Sequence, residues 1–222
     1  MNIMTEQVTA YLDELYQPLN PFLEQLRVDA QTNKVPIILR DTEMLLGNLL
    51  RLRKPKRILE IGTAVGYSAI YFASVCEGVE ITTLEVSEES AAIAKENIQK
   101  AGMSGQIEVI TGDAKESLLL LDGQVQEKER QLYDFIFIDA AKGQYQAFWD
   151  ACQPLCAPQA LLVSDNVLFK GMTASDDFVL NRKYNTIIRR MREYLHNITN
   201  LETADTCVLA VGDGVAVSFM KG

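Results

Sequence analysis

Four hydrophobic residues, Phe135-Ile136-Phe137-Ile138, run directly into Asp139, and Lys142 follows three positions later. Leu161-Leu162-Val163-Ser164 repeats the pattern and ends in Asp165-Asn166. Such apolar runs read as strands buried on both faces of a parallel sheet, and open α/β sheets put their chemistry at the carboxyl ends of those strands. Asp139, Asp165 and Asn166 offer three oxygen donors, the ligand type of a hard divalent cation: Mg2+ first, with Mn2+ or Ca2+ also served. Asx residues also turn the chain after a strand, but a turn does not require a further acid at the neighbouring strand end. Beside a divalent cation a neutral amine is favoured, which makes Lys142 a candidate general base. The alternative is that Lys142 is only an electrostatic partner for Asp139.

A second group of residues suits a nucleoside. Arg57-Ile58-Leu59-Glu60-Ile61 leads into Gly62-Thr63-Ala64-Val65-Gly66-Tyr67-Ser68, where glycines permit a tight strand-to-helix turn and close backbone approach to a ligand. The Gly-x-x-x-Gly spacing is not the G-x-G-x-x-G of dinucleotide binders, and no G-K-[ST] follows for a nucleoside triphosphate. Glu60 adds a negative charge that suits a cationic ligand better than a pyrophosphate. Glu85 ends the next apolar run, placed to accept hydrogen bonds from both hydroxyls of a ribose. Gly112-Asp113-Ala114 makes a further small turn able to flank an adenine ring. In this order the pieces favour an adenosyl ligand at the sheet edge.

The elements that must position these residues alternate from Pro55 onward. Strands are expected near 57–61, 80–85, 106–110, 134–139 and 159–164, and helices near 66–76, 88–101, 114–121 and 143–152. This is an α/β pattern, a parallel sheet with helices on both faces. A long basic helix is expected near 176–197, and Gln124 to Gln131 reads as a charged surface loop. Two final strands near 201–210 and 214–220 join through Gly212-Asp213-Gly214 as a hairpin. The first fifty or so residues read as helical. Thr5 can cap a helix through Tyr16 with Val8, Leu12 and Leu15 on one face. Asn20-Pro21 starts the next, and Asp41 caps a third with Met44, Leu45, Leu49 and Leu52 as its buried stripe. Lys34-Val35-Pro36-Ile37-Ile38 is an extended apolar link, either a lid over a ligand or simple packing.

The whole chain narrows the function classes. At 222 residues with 48% hydrophobic and 23% charged residues it reads as one core with embellishments. No apolar run approaches the ~20 residues of a membrane span, and the N-terminus lacks the basic start and apolar core of a signal peptide, so a cytoplasmic protein is expected. Cys76, Cys152, Cys156 and Cys207 form no C-x-x-C pair and read as buried reduced thiols. The single histidine, His196, falls at the polar end of a helix and leaves too few imidazoles for a histidine-rich zinc site. The formal charge of −9 argues against polyanion binding by the surface as a whole. Local clusters differ: Arg51, Arg53, Lys54, Lys56 and Arg57 in one connection, and Arg182, Lys183, Arg189, Arg190 and Arg192 in another. They are either solvated helix faces and ends or RNA contacts.

Glu60 to Ser68, Phe137-Ile138-Asp139-Ala140-Ala141-Lys142 and Asp165-Asn166 together resemble the metal-dependent, S-adenosylmethionine-dependent O-methyltransferases, the group that holds catechol and caffeoyl-CoA methyltransferases. The resemblance runs from about residue 35 to the end. It implies a Rossmann-like class I methyltransferase fold with a seven-stranded, mostly parallel sheet and a C-terminal antiparallel hairpin. One methyltransferase domain would fill 1–222, with 1–53 as a helical embellishment and 54–222 as the cofactor-binding core. Carried over by position, S-adenosyl-L-methionine is held by Glu60, Gly62, Tyr67, Ser68, Glu85, Asp113, Ala114 and Asp139. The metal is held by Asp139, Asp165 and Asn166, and Lys142 is the base. Val35-Pro36-Ile37, Ile138 to Gln146, Asp165 to Gly171 and Val211 to Gly214 are also similar to the bacterial tRNA 5-hydroxyuridine methyltransferases. That implies a tRNA anticodon loop as partner, with Val35, Ile37, Lys170, Arg182, Arg189 and Arg190 on the substrate side, and a homodimer. Both acceptor types present two adjacent oxygens that can chelate one cation. The competing readings are a small catechol-like acceptor, an NAD-linked oxidoreductase, which the glycine spacing and terminal hairpin disfavour, and a catalytically silent adenosyl- or RNA-binding module.

Overall fold

A computed structural model describes residues 6–179 and 181–221. Helices α1 (Glu6–Leu15), α2 (Pro21–Thr32) and α3 (Arg40–Arg53) precede the sheet. Thr5, expected to cap α1, lies outside the described residues. Only part of the expected α1 face is covered: Leu15 is exposed. Asn20 caps α2 as expected, its Oδ1 accepting from Leu23 N at 2.9 Å with Pro21 at the first helical position. Asp41 does not cap α3. Leu39 holds the cap position, two residues earlier, and the Asp41 carboxylate accepts instead from Thr42 N at 2.9 Å and, across the fold, from Gly212 N at 2.7 Å. The expected stripe is displaced in part: Thr42, Glu43, Leu46, Gly47 and Leu50 are buried, Leu45 and Leu49 pack half-buried against the core, and Leu52 is 82% exposed. The cause is the buried ion pair of Arg27 with Glu43, which turns a charged residue into the core.

Strands β1 (Arg57–Ile61), β2 (Glu80–Glu85), β3 (Ile107–Thr111), β4 (Tyr133–Ile138) and β5 (Cys156–Ser164) run parallel. Strands β6 (Ala204–Leu209) and β7 (Val215–Met220) form the antiparallel hairpin, and the sheet order is β3-β2-β1-β4-β5-β7-β6. Seven strands with this ending match the expected architecture. Chain order reverses between β1 and β4, which opens a crevice outside their carboxyl ends. Register Ile61↔Ile138 and Ile138↔Ser164 brings Gly62, Asp139 and Asp165 to that one edge.

Helices α4 (Tyr67–Val75), α5 (Glu88–Lys100), α6 (Ala114–Gln126), α7 (Tyr145–Cys152) and α8 (Asn185–Thr199) complete the fold. On one side of the sheet Phe72 meets Phe137 edge-on at 5.4 Å, with Leu46 and Leu50 beneath. On the other, Trp149 and Tyr194 pack at 6.1 Å against Leu118 and Leu162. Two expectations are corrected. Helix α6 runs through Gln126, so the expected loop starts later. The basic helix is shorter than 176–197: two 3₁₀ turns, Asp176–Phe178 and Arg182–Tyr184, precede α8, because the side chains of Ser175 and Asn181 accept from Asp177 N and Lys183 N and restart the chain twice. All four cysteines are free, but only Cys76 and Cys152 are buried; Cys156 is half-buried and Cys207 is exposed on edge strand β6. Among the described residues no helix is long and apolar enough to cross a membrane.

Candidate active site

The crevice is a cavity of about 910 Å3 walled by Ile37 and Ile38, the β1–α4 turn, Glu85, Ala114, Asp139, Lys142 and Asn166, within the size range of small-molecule sites. A polar cleft of about 790 Å3 lies at the amino end of the strands. Its Arg130 donates to Gln124, Thr82, Tyr133 and Glu108, so this cation is already taken up within the chain.

Gly62 holds the centre of the first site. Its φ is +107°, and a Cβ there would overlap the Asp139 carbonyl oxygen, so only glycine lets β1 and β4 end this close together. Glu60 sits fully buried beneath it. Thr83 Oγ1 donates to Glu60 Oε2 at 2.5 Å, while Oε1 is buried with no partner among the described residues. Burial pushes this carboxyl up to about 7, against the hydrogen bonds of Ser68 and Thr83. An orphaned carboxylate oxygen beside a cavity fits a cationic ligand group. Ser68 lines the same wall.

Glu85 lines the cavity with its carboxylate pinned, Oε2 accepting from Ala64 N at 2.8 Å and Oε1 from Ser87 N at 2.9 Å. Each oxygen keeps a lone pair for a hydroxyl. Asp113 lines the cavity beside Ala114. Its side chain caps α6, accepting from Lys115 N at 2.8 Å, so it offers the ligand mainly the wall beside Ala114. The Tyr67 ring lines the cavity, but its hydroxyl turns away and donates to Glu43 Oε2 at 2.7 Å. Of the apolar link, Pro36, Ile37 and Ile38 form wall, joined by the following Leu39. Val35 does not; its N–H bonds to Ala30 O at 2.8 Å and closes α2.

The acid corner lies at the ends of β4 and β5. Asp165 is fully buried; Asn166 N donates to its Oδ1 at 2.7 Å, and Oδ2 is buried without a partner among the described residues. Tyr145 donates to the Asp165 carbonyl at 2.9 Å and fixes the backbone. Burial, then the neighbouring Asp139, pushes the Asp165 carboxyl up to about 8. Burial raises Asp139 as well, opposed by Lys142. Two carboxyls held up in this way call for positive charge between them. Lys142 Nζ donates to Asn166 Oδ1 at 2.9 Å, and that oxygen keeps a second lone pair. Among the described residues no three His, Cys, Asp or Glu side chains cluster to hold a metal. The set here is two carboxylates and an amide, and with the orphaned Oδ2 it fits a hard divalent cation.

Two residues at this corner had no assigned role in the sequence reading. Asp213, read only as a hairpin residue, lines the cavity and accepts from Lys170 N. Burial raises its carboxyl. Phe169 also lines the cavity, its ring 5.9 Å from Lys142 Nζ and edge-on to Tyr184 at 5.3 Å. A carboxylate flanked by two glycines, and an aromatic four residues after Asp165, were the available signals. Lys170 lines the mouth. Arg182, Arg189 and Arg190 are exposed outside the cavity. Arg189 pairs with Glu193 at 2.7 Å, and Arg190 Nη1 donates to Gly143 O at 3.2 Å, next to Lys142. Arg192 is taken up within the chain by Met172 O, Thr173 O and Asp176.

A catechol O-methyltransferase of Niastella koreensis is 35% identical over 130 residues, 58% of this chain and 57% of that enzyme. The chain thus spans less than two thirds of that relative's length. A crystal structure from Staphylococcus aureus, described as a candidate caffeoyl-CoA O-methyltransferase, superposes with a TM-score of 0.88 at 34% identity, covering 97% of this chain and all of that one. The Bacillus cereus O-methyltransferase in complex with S-adenosylhomocysteine superposes with a TM-score of 0.80 at 29% identity, covering 97% of each chain. The family pattern described as O-methyltransferase matches residues 13–221. With that match over nearly its whole length, the chain belongs to the O-methyltransferase family.

Proposed function

We propose that this protein transfers a methyl group from S-adenosylmethionine, with a divalent cation, to a ring hydroxyl that has a second oxygen beside it. The observation that carries this reading is the unpartnered Asp165 Oδ2, buried next to Asn166 and behind a cavity whose wall includes Asp139, Asn166 and Glu85, with Glu60 buried behind Ile61 and Gly62 of the same wall. The S-adenosylhomocysteine complex of the Bacillus cereus relative supports the adenosyl part. When bound, the sulfonium would supply an electrophilic methyl group, and Asp139, Asp165 and Asn166 would hold a cation that would make a facing hydroxyl more acidic. Glu85 takes the ribose hydroxyls, Glu60 the ammonium, and Gly62 lets the backbone lie against the ligand. Lys142 accepts the acceptor's proton at Nζ. Phe169 gives the acceptor ring a flat apolar wall.

Glu60 makes cofactor affinity depend on pH. Its folded pKa is raised, so its favourable contribution is complete below the ordinary carboxylate range and is lost as pH rises through about 7, where a buried charge forms. A ligand ammonium favours that charge, and binding therefore releases a proton. Affinity for S-adenosylhomocysteine is expected to rise by up to about tenfold per pH unit below neutrality and then to level off. Calorimetry across this range checks it, and Glu60→Gln should flatten the profile.

For the acceptor, the exposed Arg182, Lys183, Arg189 and Arg190 at and before the start of α8, and Lys170 in the cavity wall, support a polyanion. The reading is 5-hydroxyuridine at the tRNA wobble position, giving 5-methoxyuridine, with the 5-hydroxyl and 4-oxo groups as the oxygen pair. Methylation of 5-hydroxyuridine-bearing tRNA should weaken steeply with salt, and Arg189→Glu/Arg190→Glu should lower that salt slope by about 1 per lost phosphate contact while sparing a small catechol. A second reading, a small catechol-like acceptor, is favoured by the similarity to the Niastella enzyme. Turnover of catechol with none of tRNA selects it.

A further inference from the structure

Arg27 on α2 and Glu43 on α3 are 3% and 2% exposed, and the guanidinium Nη2 pairs with Glu43 Oε2. Nη1 donates to Ile38 O at 3.0 Å and Nε to Tyr67 Oη at 3.2 Å. Tyr67 and Tyr16 donate to the two Glu43 oxygens at 2.7 and 2.8 Å, and the guanidinium lies 4.6 Å from the centre of the Tyr67 ring. Burying an ion pair is a poor way to add stability, since apolar residues of the same volume often do as well. The geometry of this pair therefore has to be explained by what it holds. Ile38 belongs to the 36–39 wall of the cavity, and Tyr67 opens α4, with its ring in the wall and Ser68 next in sequence.

We propose that Arg27 is a positioning residue for the cofactor cavity, tying the Ile38 carbonyl of the wall to the Tyr67 hydroxyl of the first turn of α4 and so fixing the cavity's width. This rests on the reading that the cavity takes an adenosyl ligand. Only a planar guanidinium reaches three acceptors in different directions at once; a lysine ammonium on the same stem cannot span them. The wall residues are extended chain: Arg27 holds the Ile38 carbonyl, while Leu39 O accepts from Glu43 N at 2.8 Å and the Ile38 side chain packs in the core.

The test uses Arg27→Met/Glu43→Gln, which removes both charges together so that no lone buried charge unfolds the protein. Glutamine keeps an oxygen for one of the Tyr16 and Tyr67 hydroxyls and turns an N–H donor to the oxygen of the other. The melting temperature should remain close to wild type, the dissociation constant for S-adenosylhomocysteine should rise about tenfold, and kcat at saturating cofactor should fall less than threefold, the split expected of a binding wall. Arg27→Lys should also weaken binding. A folded double variant that binds S-adenosylhomocysteine as wild type does overturns the positioning role alone. Wild-type protein that binds none overturns the cofactor reading itself.

Discussion

Asp165→Asn should reduce kcat/KM by about a thousandfold, the loss expected when several kcal/mol of charge stabilisation at the reacting oxygen disappears. The substitution keeps shape and volume but takes away the charge of the orphaned Oδ2. Divalent cation binding, followed by calorimetry, should be lost, while S-adenosylhomocysteine binding should persist because Glu60 and Glu85 are untouched. Stability should move the opposite way. The Asp165 carboxyl is raised from an ordinary value of 3.8 to about 8. Its favourable contribution is therefore complete below 3.8 and is lost as pH rises through about 8. In chelator, the variant should melt above wild type at neutral pH and equal it in acid. A variant that keeps full activity without binding a cation would remove the metal role of Asp165.

Lys142→Met should lower kcat by ~10²–10⁴, the usual worth of a positioned general base, with cation and cofactor binding retained. Lys142→Arg decides between the two roles its contacts allow. Arginine keeps the charge beside Asp139 but cannot accept a proton. If proton acceptance matters, the arginine variant is as poor as the methionine variant, whereas recovery of activity by arginine would leave Lys142 as an electrostatic partner only.

The strands that carry this site were legible because fully buried parallel strands declare themselves as continuous apolar runs; Phe135 to Ile138 and Leu161 to Ser164 sit where the runs end in acids. The glycine turn was legible for a related reason, since Gly62 allows no Cβ. Long-range pairing was not. Glu43 is buried by its pairing with Arg27, sixteen residues earlier, a contact outside the apolar stripe of Met44, Leu45, Leu49 and Leu52 inferred for α3. Asp41 looked like a cap, but its partner is Gly212 N, 171 residues away. Asp213 sat inside a turn signal strong enough to account for its presence. The break before α8 depends on side-chain to backbone bonds at Ser175 and Asn181, local competitors of helix that an amphipathic pattern does not reveal. The basic residues around α8 were visible as a group, yet only the folded chain separates the half-buried Arg192, bonded to Thr173 O and Asp176, from the exposed Arg182.

If Asp139, Asp165 and Asn166 select an acceptor with two adjacent oxygens through a divalent cation, the choice of acceptor and the need for the cation must go together. Methyl transfer from labelled S-adenosylmethionine to a catechol and to the matching monohydroxy phenol, each in chelator and after Mg2+ is restored, reads both at once. Methylation of the catechol only is expected, abolished by chelator and recovered with Mg2+. Equal methylation of the monohydroxy compound, or catechol turnover that ignores the chelator, would contradict the cation-selected acceptor.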